Sequence, residues 1–500
     1  MYDIVLVVPL FKEKESLPIM EYQGFAVLHA YLVNRGFKVK VIDAYAEQLE
    51  FEDVIALLNS YEYRWIGFTI MSSLYLKNAM RIVNELNAQY SKNTNAFLGG
   101  IYATLYCKDI LESSNTFQFI VLGDGEKTIS EVLAGNDLHQ IKGVAYKENG
   151  VVIEKIRKPL SEEELNCAPD PIHIDLNKLI NKGGIVQIVT SRGCYGRCDF
   201  CAVNSYMKKI NCLQWRALSA EKVVHEIQNL YRMYNITHID IADDNFIGFG
   251  QKGRDRAKKI AEMLIKEDIK ISFNVYSRVN DFDEETFKLL KRAGLNSVFM
   301  GVEFGVQSIL DFYGKNITTV QSKEVLKKMQ DLEIKVAPGY IMFEPRMSIE
   351  ELKENLKFYY ENCDFKLYKI FSKLEIYKDS LAHKKLQSIV NISDLPEFHY
   401  TFGDVCPYDF LDPKISKIYA EFKDAIPRIM PSKSYQYIMN LETNKKNIEK
   451  FQNLWCQDIY FILQDTIDKI NSEHYEKGEL AKRLVIFDNN FLKQLQSTKL

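Results

Sequence analysis

Short apolar runs alternate with helix-periodic stretches along the N-terminal part of the chain. The stretch at residues 74–90 shows the clearest helical spacing. Five apolar runs predict strands, at residues 3–9, 37–43, 65–70, 96–98 and 117–122. Strand and helix patterns in alternation are typical of a parallel sheet. The pattern therefore predicts a doubly wound α/β domain of flavodoxin or Rossmann type.

Residues 143–156 depart from this alternation of strands and helices. Two short strands flank Asn149-Gly150, a pair that favours a tight hairpin turn because both residues tolerate positive φ. The proline-containing stretch 159–175 follows as a linker. The sequence thus predicts a first domain over residues 1–140 and a hairpin with linker over residues 141–184.

A second series of strand and helix patterns begins after the linker. Six strands are predicted, at residues 185–190, 238–242, 271–275, 297–302, 336–343 and 365–374. Six βα units in series suit a partial (βα)6 barrel over residues 185–380, with functional groups at the C-terminal ends of its strands. Residues 381–500 form a third predicted domain, which is mainly helical from residue 430.

Composition narrows the class of protein without naming a function. Hydrophobic residues make up 47% and charged residues 26%, which is ordinary for a globular protein. The net charge of −3 gives no basic excess, so we expect no nucleic-acid partner. No apolar run approaches the ~20 residues of a membrane span, and no secretory signal follows Met1. We therefore expect a cytoplasmic protein without a membrane partner.

Three of the nine cysteines lie within eight residues. Residues 191–201 read SRGCYGRCDFC, which places Cys194, Cys198 and Cys201 in one loop after the first strand of the predicted barrel. Three thiolates at this spacing indicate an iron–sulfur or zinc site. The zinc alternative is a structural site that Cys212 or His225 completes.

At these residues the sequence resembles the radical S-adenosylmethionine superfamily. The resemblance implies that the three thiolates hold a [4Fe–4S] cluster whose open iron binds S-adenosylmethionine. It further implies that one electron cleaves this molecule to a 5′-deoxyadenosyl radical, so a reductant protein such as flavodoxin or ferredoxin is an expected partner. The chain itself positions the reacting parts and excludes solvent.

The resemblance also assigns candidate S-adenosylmethionine contacts at the barrel strand ends. Asp243 and Asp244 follow the second strand, where the family binds the amino group; capping of the next helix is the alternative. Arg278 follows the third strand and is placed to pair with the carboxylate, or else forms a surface ion pair. Glu303 ends the fourth strand, at the position expected to bind the ribose hydroxyls.

The N-terminal domain resembles the cobalamin-binding domains that precede many such barrels. Its candidate contacts all follow strand ends: Thr69, Ser72, Ser73, Gly99, Gly100, Gly123, Gly125 and Glu126. The sequence has no Asp-x-His-x-x-Gly segment, so a histidine from that motif does not ligate cobalt. Glycine-rich strand ends also fit FMN or no ligand, and these alternatives stay open.

Cys406 is the one further candidate for catalysis, as a thiol that contacts substrate or quenches a radical. The alternative is a buried, inert cysteine, which is the expected state of the remaining cysteines.

The two resemblances together imply a cobalamin-dependent radical S-adenosylmethionine enzyme. The expected reaction is C-methylation of an unactivated carbon in a peptide or a small natural product, with the C-terminal domain covering the substrate. A non-methylating radical enzyme that cyclises, rearranges or cross-links its substrate is the second hypothesis. A non-catalytic iron–sulfur or zinc binding module is the third.

Overall fold

The computed structural model describes residues 1–11, 18–90, 94–393, 397–399, 403–432, 434–436 and 446–497. Its N-terminal sheet has seven strands: β1 (Tyr2–Val8), β2 (Val39–Asp43), β3 (Tyr63–Thr69), β4 (Ala96–Gly99), β5 (Phe119–Val121), β6 (Val144–Glu148) and β7 (Val151–Lys155). The spatial order is β2-β1-β3-β4-β5-β6-β7. The first five strands pair in parallel, which confirms the doubly wound domain.

The predicted hairpin continues this sheet. β6 pairs antiparallel with β5 and with β7, so the hairpin extends the N-terminal sheet. Asn149 and Gly150 both have positive φ, as the turn requires. The helices of this domain and the linker are Gln23–Val33, Phe51–Ser60, Ser73–Tyr90, Ile101–Leu105, Cys107–Ser113, Glu126–Leu133, Glu162–Cys167 and Leu176–Asn181.

A second parallel sheet forms the partial barrel. Its strands are β8 (Gln187–Ile188), β11 (His238–Ile241), β12 (Ser272–Arg278), β13 (Leu295–Glu303) and β14 (Lys335–Tyr340), which neighbour one another in that order. A two-stranded antiparallel ribbon, β9 (Ser191–Arg192) and β10 (Arg216–Ala217), lies beside the cysteine loop. The helices here are Ala202–Lys209, Ala220–Tyr234, Gly250–Lys266, the 3-10 turn Val279–Asp281, Glu284–Arg292, Gln307–Phe312, Thr319–Asp331 and Ile349–Asn362.

The sixth predicted strand, at residues 365–374, is corrected by the structure. This segment contains the short helix Leu367–Ile370, and Lys373 forms a single parallel bridge with Phe343. Leu367 and Ile370 are both buried at the spacing of one helical turn, which explains the local helix. The sixth position of the barrel is thus reduced to one bridge.

The C-terminal region is mainly helical, as predicted. Its elements are Leu381–Leu386, the hairpin of β15 (Glu397–His399) and β16 (Gly403–Val405), and the long helices Pro413–Ile429, Lys446–Asn471 and Glu479–Ser497. These helices share one hydrophobic core with the barrel, whereas the N-terminal sheet has a core of its own. Among the described helices, none has the length and apolar character that a membrane crossing requires.

Candidate active site

The three clustered cysteines lie in the loop that joins β9 to the helix Ala202–Lys209. Cys198 is buried, while Cys194 and Cys201 are partly accessible. Burial raises the pKa of the Cys194 thiol, and it raises that of Cys201 to about 12. A metal must therefore displace protons from these thiols when it binds.

Hydrogen-bond donors already surround the thiol sulfurs. The Gly196 backbone N–H lies 3.3 Å from Cys194 Sγ, and Arg278 Nη1 donates to Cys198 Sγ across 3.3 Å. Asn245 Nδ2 is 4.0 Å from Cys194 Sγ. Such donors stabilise thiolates that carry negative charge, so the environment fits metal ligation by the loop.

The donor set of the loop fits a [4Fe–4S] cluster. Its three candidate ligands are all cysteine thiols, and in such a cluster each cysteine binds a different iron, so the three sulfurs need not share one ion position. Within the ranges that the structure describes, no three Cys, His, Asp or Glu side chains are arranged to hold a single metal ion.

Arg278 lies against the cysteine loop. Besides Cys198, it donates from Nη2 to the Lys315 carbonyl at 2.9 Å and from Nε to Asn280 Oδ1 at 3.3 Å. A Cβ atom added at Gly196 would clash with Arg278 Nη1 in its present position, so glycine at this position allows the arginine its close approach. The sequence predicted that Arg278 pairs with the carboxylate of S-adenosylmethionine; in the structure its guanidinium contacts the Cys198 thiol and the Lys315 carbonyl.

The two predicted aspartates differ in what they contact. Both oxygens of the buried Asp243 accept hydrogen bonds, from the backbone N–H and hydroxyl groups of Thr190 and Ser191, at 2.5–2.9 Å. Asp243 therefore anchors the segment before the cysteines. Asp244 is accessible to solvent and accepts one bond at 3.1 Å, from the Gly193 N–H. The side chain reaches solvent, yet desolvation by the protein atoms around the carboxylate and the charge of Asp243 raise the pKa of Asp244 to about 6.

Glu303 is held in an unusual backbone conformation. Its φ is +69°, and the pairing of β13 with β14 shifts register between Gly301 and Glu303. Such irregularities redirect a side chain and are common beside functional sites. Lys315 Nζ, itself buried, donates to Glu303 Oε1 at 2.6 Å. The pair lies next to Arg278, since that arginine binds the Lys315 carbonyl.

A cavity of about 320 Å³ opens at the carboxyl ends of the N-terminal strands. Its wall includes Leu6 of β1, Thr69 of β3 and Gly99 of β4, at the point where the strand order reverses. Open α/β sheets bind ligands at this point. The linker and barrel close the cavity, with Pro169 and Lys222 among the residues that line it.

Six of the eight predicted cobalamin contacts line this cavity: Thr69, Gly99, Gly100, Gly123, Gly125 and Glu126. A Cβ atom added at Gly99 would meet only Val121, at 3.7 Å, so this glycine borders open space. The described lining contains no histidine. A cavity whose wall is largely backbone and apolar side chains fits an extended organic cofactor.

The other two predicted contacts lie elsewhere. Ser73 donates from both its N–H and its hydroxyl to Asp404 Oδ1, at 3.1 and 2.9 Å, and so faces the C-terminal hairpin. Ser72 is buried, and its hydroxyl has no hydrogen-bond partner in the described part of the chain. Neither side chain is part of the described cavity wall.

An ionic cluster joins the cavity to the cysteine loop. Arg192, two residues before Cys194, donates to Asp124 at 2.9 Å and to Glu126 at 2.5 Å. Arg216 donates to the second oxygen of Asp124 at 2.6 Å. We call these four residues (Asp124, Glu126, Arg192 and Arg216) the domain-bridging ion cluster. Glu126 thus lines the cavity and also pairs with the cysteine-loop segment.

The sequence alone predicts no role for four further residues near the site, Asn245, Lys315, Arg192 and Arg216. Asn245 directly follows the two aspartates, and Arg192 lies inside the quoted cysteine segment, so each was adjacent to a detectable signal. Lys315 had none, because its partner Glu303 comes from another element. Cys406 is buried in the core shared by the barrel and the C-terminal helices, where its N–H donates to the Ile376 carbonyl. Its catalytic role stays a prediction.

Comparison with known families gives two matches. The family model described as the radical SAM superfamily matches residues 188–359, and the model described as the B12 binding domain matches residues 16–133. The first range contains the three cysteines together with Asp244, Arg278 and Glu303. The second contains the glycine-lined cavity wall.

Individual relatives match about two thirds of this chain. An uncharacterized methyltransferase from Pyrococcus horikoshii is 30% identical over 346 residues, which cover 67% of this chain and 72% of that protein. An anaerobic magnesium-protoporphyrin IX monomethyl ester cyclase from Synechocystis is 27% identical over 331 residues, or 64% of each chain. The solved structure of OxsB, a cobalamin-dependent S-adenosylmethionine radical enzyme, has a TM-score of 0.79 and 20% identity over 99% of this chain and 75% of its own. The structural likeness establishes a shared fold.

Proposed function

Since the chain belongs to the radical SAM superfamily and carries a B12-binding domain, we propose that it transfers a methyl group from S-adenosylmethionine to an unactivated carbon with the help of cobalamin. The protein is an enzyme, and its cofactors are a [4Fe–4S] cluster, S-adenosylmethionine and cobalamin. When bound, the cluster supplies the electron that cleaves S-adenosylmethionine to a 5′-deoxyadenosyl radical.

The observation that carries the proposal is the link between the two cofactor regions. Asp124 and Glu126 belong to the cavity wall, and their partner Arg192 ends β9, two residues before Cys194 of the cysteine loop. Methyl transfer of this kind needs cobalamin and S-adenosylmethionine to reach the same substrate. A fold that connects the two regions directly supports such joint use.

The residues of the barrel supply the expected contacts. We assign Cys194, Cys198 and Cys201 to the cluster. Asp244, accessible and with one hydrogen bond, is the better candidate for the amino group of S-adenosylmethionine, because the oxygens of Asp243 are already satisfied. Glu303, held on Lys315, is the proposed ribose contact.

The remaining barrel contact in the proposal is Arg278. We assign it chiefly to the Cys198 thiolate, because all three of its guanidinium nitrogens are already engaged near the loop.

The C-terminal domain is the proposed cover of the substrate. Asp404 of β16 binds Ser73 and accepts a hydrogen bond from the Tyr102 hydroxyl at 2.9 Å. This contact attaches the C-terminal hairpin to the N-terminal domain. The substrate we propose is a peptide or a small natural product.

Analysis of the products tests the proposal. Anaerobically reconstituted enzyme, supplied with cobalamin, S-adenosylmethionine, reductant and candidate substrates, should release S-adenosylhomocysteine together with 5′-deoxyadenosine. Cys198→Ala should abolish 5′-deoxyadenosine. Cys167→Ala, which changes an exposed cysteine of the linker, should leave both products unchanged.

A non-methylating reaction is the second candidate. The cyclase from Synechocystis is similar over 64% of this chain, so a ring-forming reaction is the alternative that its name suggests. Formation of 5′-deoxyadenosine without S-adenosylhomocysteine would favour this second candidate over methyl transfer.

The electron donor we propose is a flavodoxin or a ferredoxin. Each carries a single electron at low potential, which the family's first step consumes. Replacement of a chemical reductant by reduced flavodoxin should sustain product formation if this assignment holds.

A further inference from the structure

The domain-bridging ion cluster is built on paired positions of two elements. Arg192 and Arg216 are opposite partners in the antiparallel β9–β10 ribbon, and both reach Asp124. Asp124 lies in the loop after β5, directly in the wall of the 320 Å³ cavity. One carboxylate therefore receives a guanidinium from each strand of the ribbon.

The domain-bridging ion cluster is largely shielded from water, and its charged groups have hydrogen-bond partners. Exposed side-chain fractions are 9% for Asp124, 6% for Glu126, 10% for Arg216 and 25% for Arg192. Asp124 also accepts the Leu160 N–H at 2.9 Å, and Arg216 donates to the Leu160 carbonyl at 2.7 Å. Loss of one partner from a buried, hydrogen-bonded ion pair leaves an uncompensated charge, so such a site resists opening.

Other ion pairs near this interface differ in position and exposure. Lys127 pairs with Glu164 of the linker, and both side chains are more than one third exposed. That pair reaches no residue of the cysteine loop. It provides a matched comparison, since Lys127 follows Glu126 directly in the chain.

We propose that Asp124 is a positioning residue that sets the separation between the cobalamin cavity and the cysteine loop. Through Arg192 it fixes the segment that leads to Cys194, and through its place in the cavity wall it fixes the bound cofactor. The benefit of a fixed separation to the enzyme rests on the proposed function. The position of Asp124 between the two cofactor regions does not depend on which reaction the enzyme performs.

The magnetic interaction between two paramagnetic cofactors measures their separation. The experiment uses full-length enzyme loaded with cob(II)alamin and with the cluster reduced by dithionite. Relaxation of the cobalamin electron spin by the cluster is compared in wild type, Asp124→Asn, Glu126→Gln and the control Lys127→Gln. Iron and cobalamin contents are determined for each sample.

We expect Asp124→Asn to weaken and broaden this interaction at wild-type cofactor content. Glu126→Gln, which keeps an oxygen acceptor but removes the negative charge that faces Arg192, should have a smaller effect in the same direction, and Lys127→Gln should have none. An unchanged interaction in both Asp124→Asn and Glu126→Gln would overturn the proposal. Loss of bound cofactor from both variants would also overturn it, because the domain-bridging ion cluster would then retain the cofactors in the protein and would not set the distance between them. The readout requires no methyl transfer, so it stands apart from failure of the proposed reaction.

Discussion

Replacement of Arg278 by methionine should make the iron–sulfur cluster harder to reduce. Methionine keeps an unbranched side chain but removes the Nη1 donor that lies 3.3 Å from Cys198 Sγ. Reduction adds negative charge to the cluster and its thiolates, and a nearby guanidinium stabilises that charge. The variant should therefore have a more negative reduction potential.

The size of the shift follows from the strength of the lost bond. A hydrogen bond to a charged group contributes about 1.5–3 kcal/mol. For a one-electron couple, a tenfold change in equilibrium constant corresponds to about 59 mV, so the bond corresponds to roughly 60–130 mV if it forms fully only in the reduced state. Arg278→Lys, which keeps the positive charge without the planar fork, should shift the potential less.

A redox titration monitored by electron paramagnetic resonance measures this potential in reconstituted protein. Lys369→Met serves as the control, because it removes a cation that lies near Glu303. Among the residues that the structure describes, Lys369 donates no hydrogen bond to a cysteine. A potential in Arg278→Met within about 30 mV of wild type, at full iron content, would refute the reasoning, because such a shift is well below the range worked out above.

Three further predictions concern the cysteine loop, the cavity and pH. Gly196→Ala should push the Arg278 guanidinium away from the loop, because the added methyl would clash with Nη1, and so should make the cluster harder to reduce, as Arg278→Met does; a wild-type reduction potential would contradict the close approach of that arginine to the loop. Gly99→Leu should fill the cavity and abolish cobalamin binding by equilibrium dialysis while iron content stays unchanged; parallel loss of both would point to misfolding instead. Burial alone would raise the pKa of Asp124, but the positive charges of Arg192 and Arg216 lower it from 3.8 to about 2. This shift corresponds to roughly 2 kcal/mol of stability that is complete above about pH 4 and lost as pH falls through about 2. The difference in unfolding free energy between wild type and Asp124→Asn should thus stay constant from about pH 5 to pH 8 in denaturant titrations, and a marked change in that window would contradict the assignment.

Local patterns predicted most of the fold. Parallel strands buried on both faces produce continuous apolar runs, which is why the first five strands were visible in the sequence, and the Asn149-Gly150 pair revealed the hairpin. The prediction for the segment 365–374 was wrong because a short apolar run suits a strand and a buried helical turn equally well. This segment forms a helical turn because Leu367 and Ile370 pack together in the core.

The candidate site was predictable only where its residues are close in the chain. The three cysteines are recognisable by their spacing, and the aspartates by their position after a strand. The contact of Arg192 with Asp124 joins residues 68 positions apart, and that of Ser73 with Asp404 joins residues 331 positions apart. No local pattern encodes such pairings, so the role of Glu126 in the ion cluster and the turn of Ser73 toward the C-terminal hairpin required the structure.

Cofactor content of one preparation tests the central claim most directly. Anaerobically reconstituted wild-type enzyme should hold one cobalamin and about four irons per chain. Gly99→Leu should lose only the cobalamin, and Cys198→Ala should lose most of the iron while it keeps cobalamin. Wild-type enzyme that binds a full complement of iron but no cobalamin would contradict the claim that this fold joins a cobalamin cavity to a radical-generating cluster.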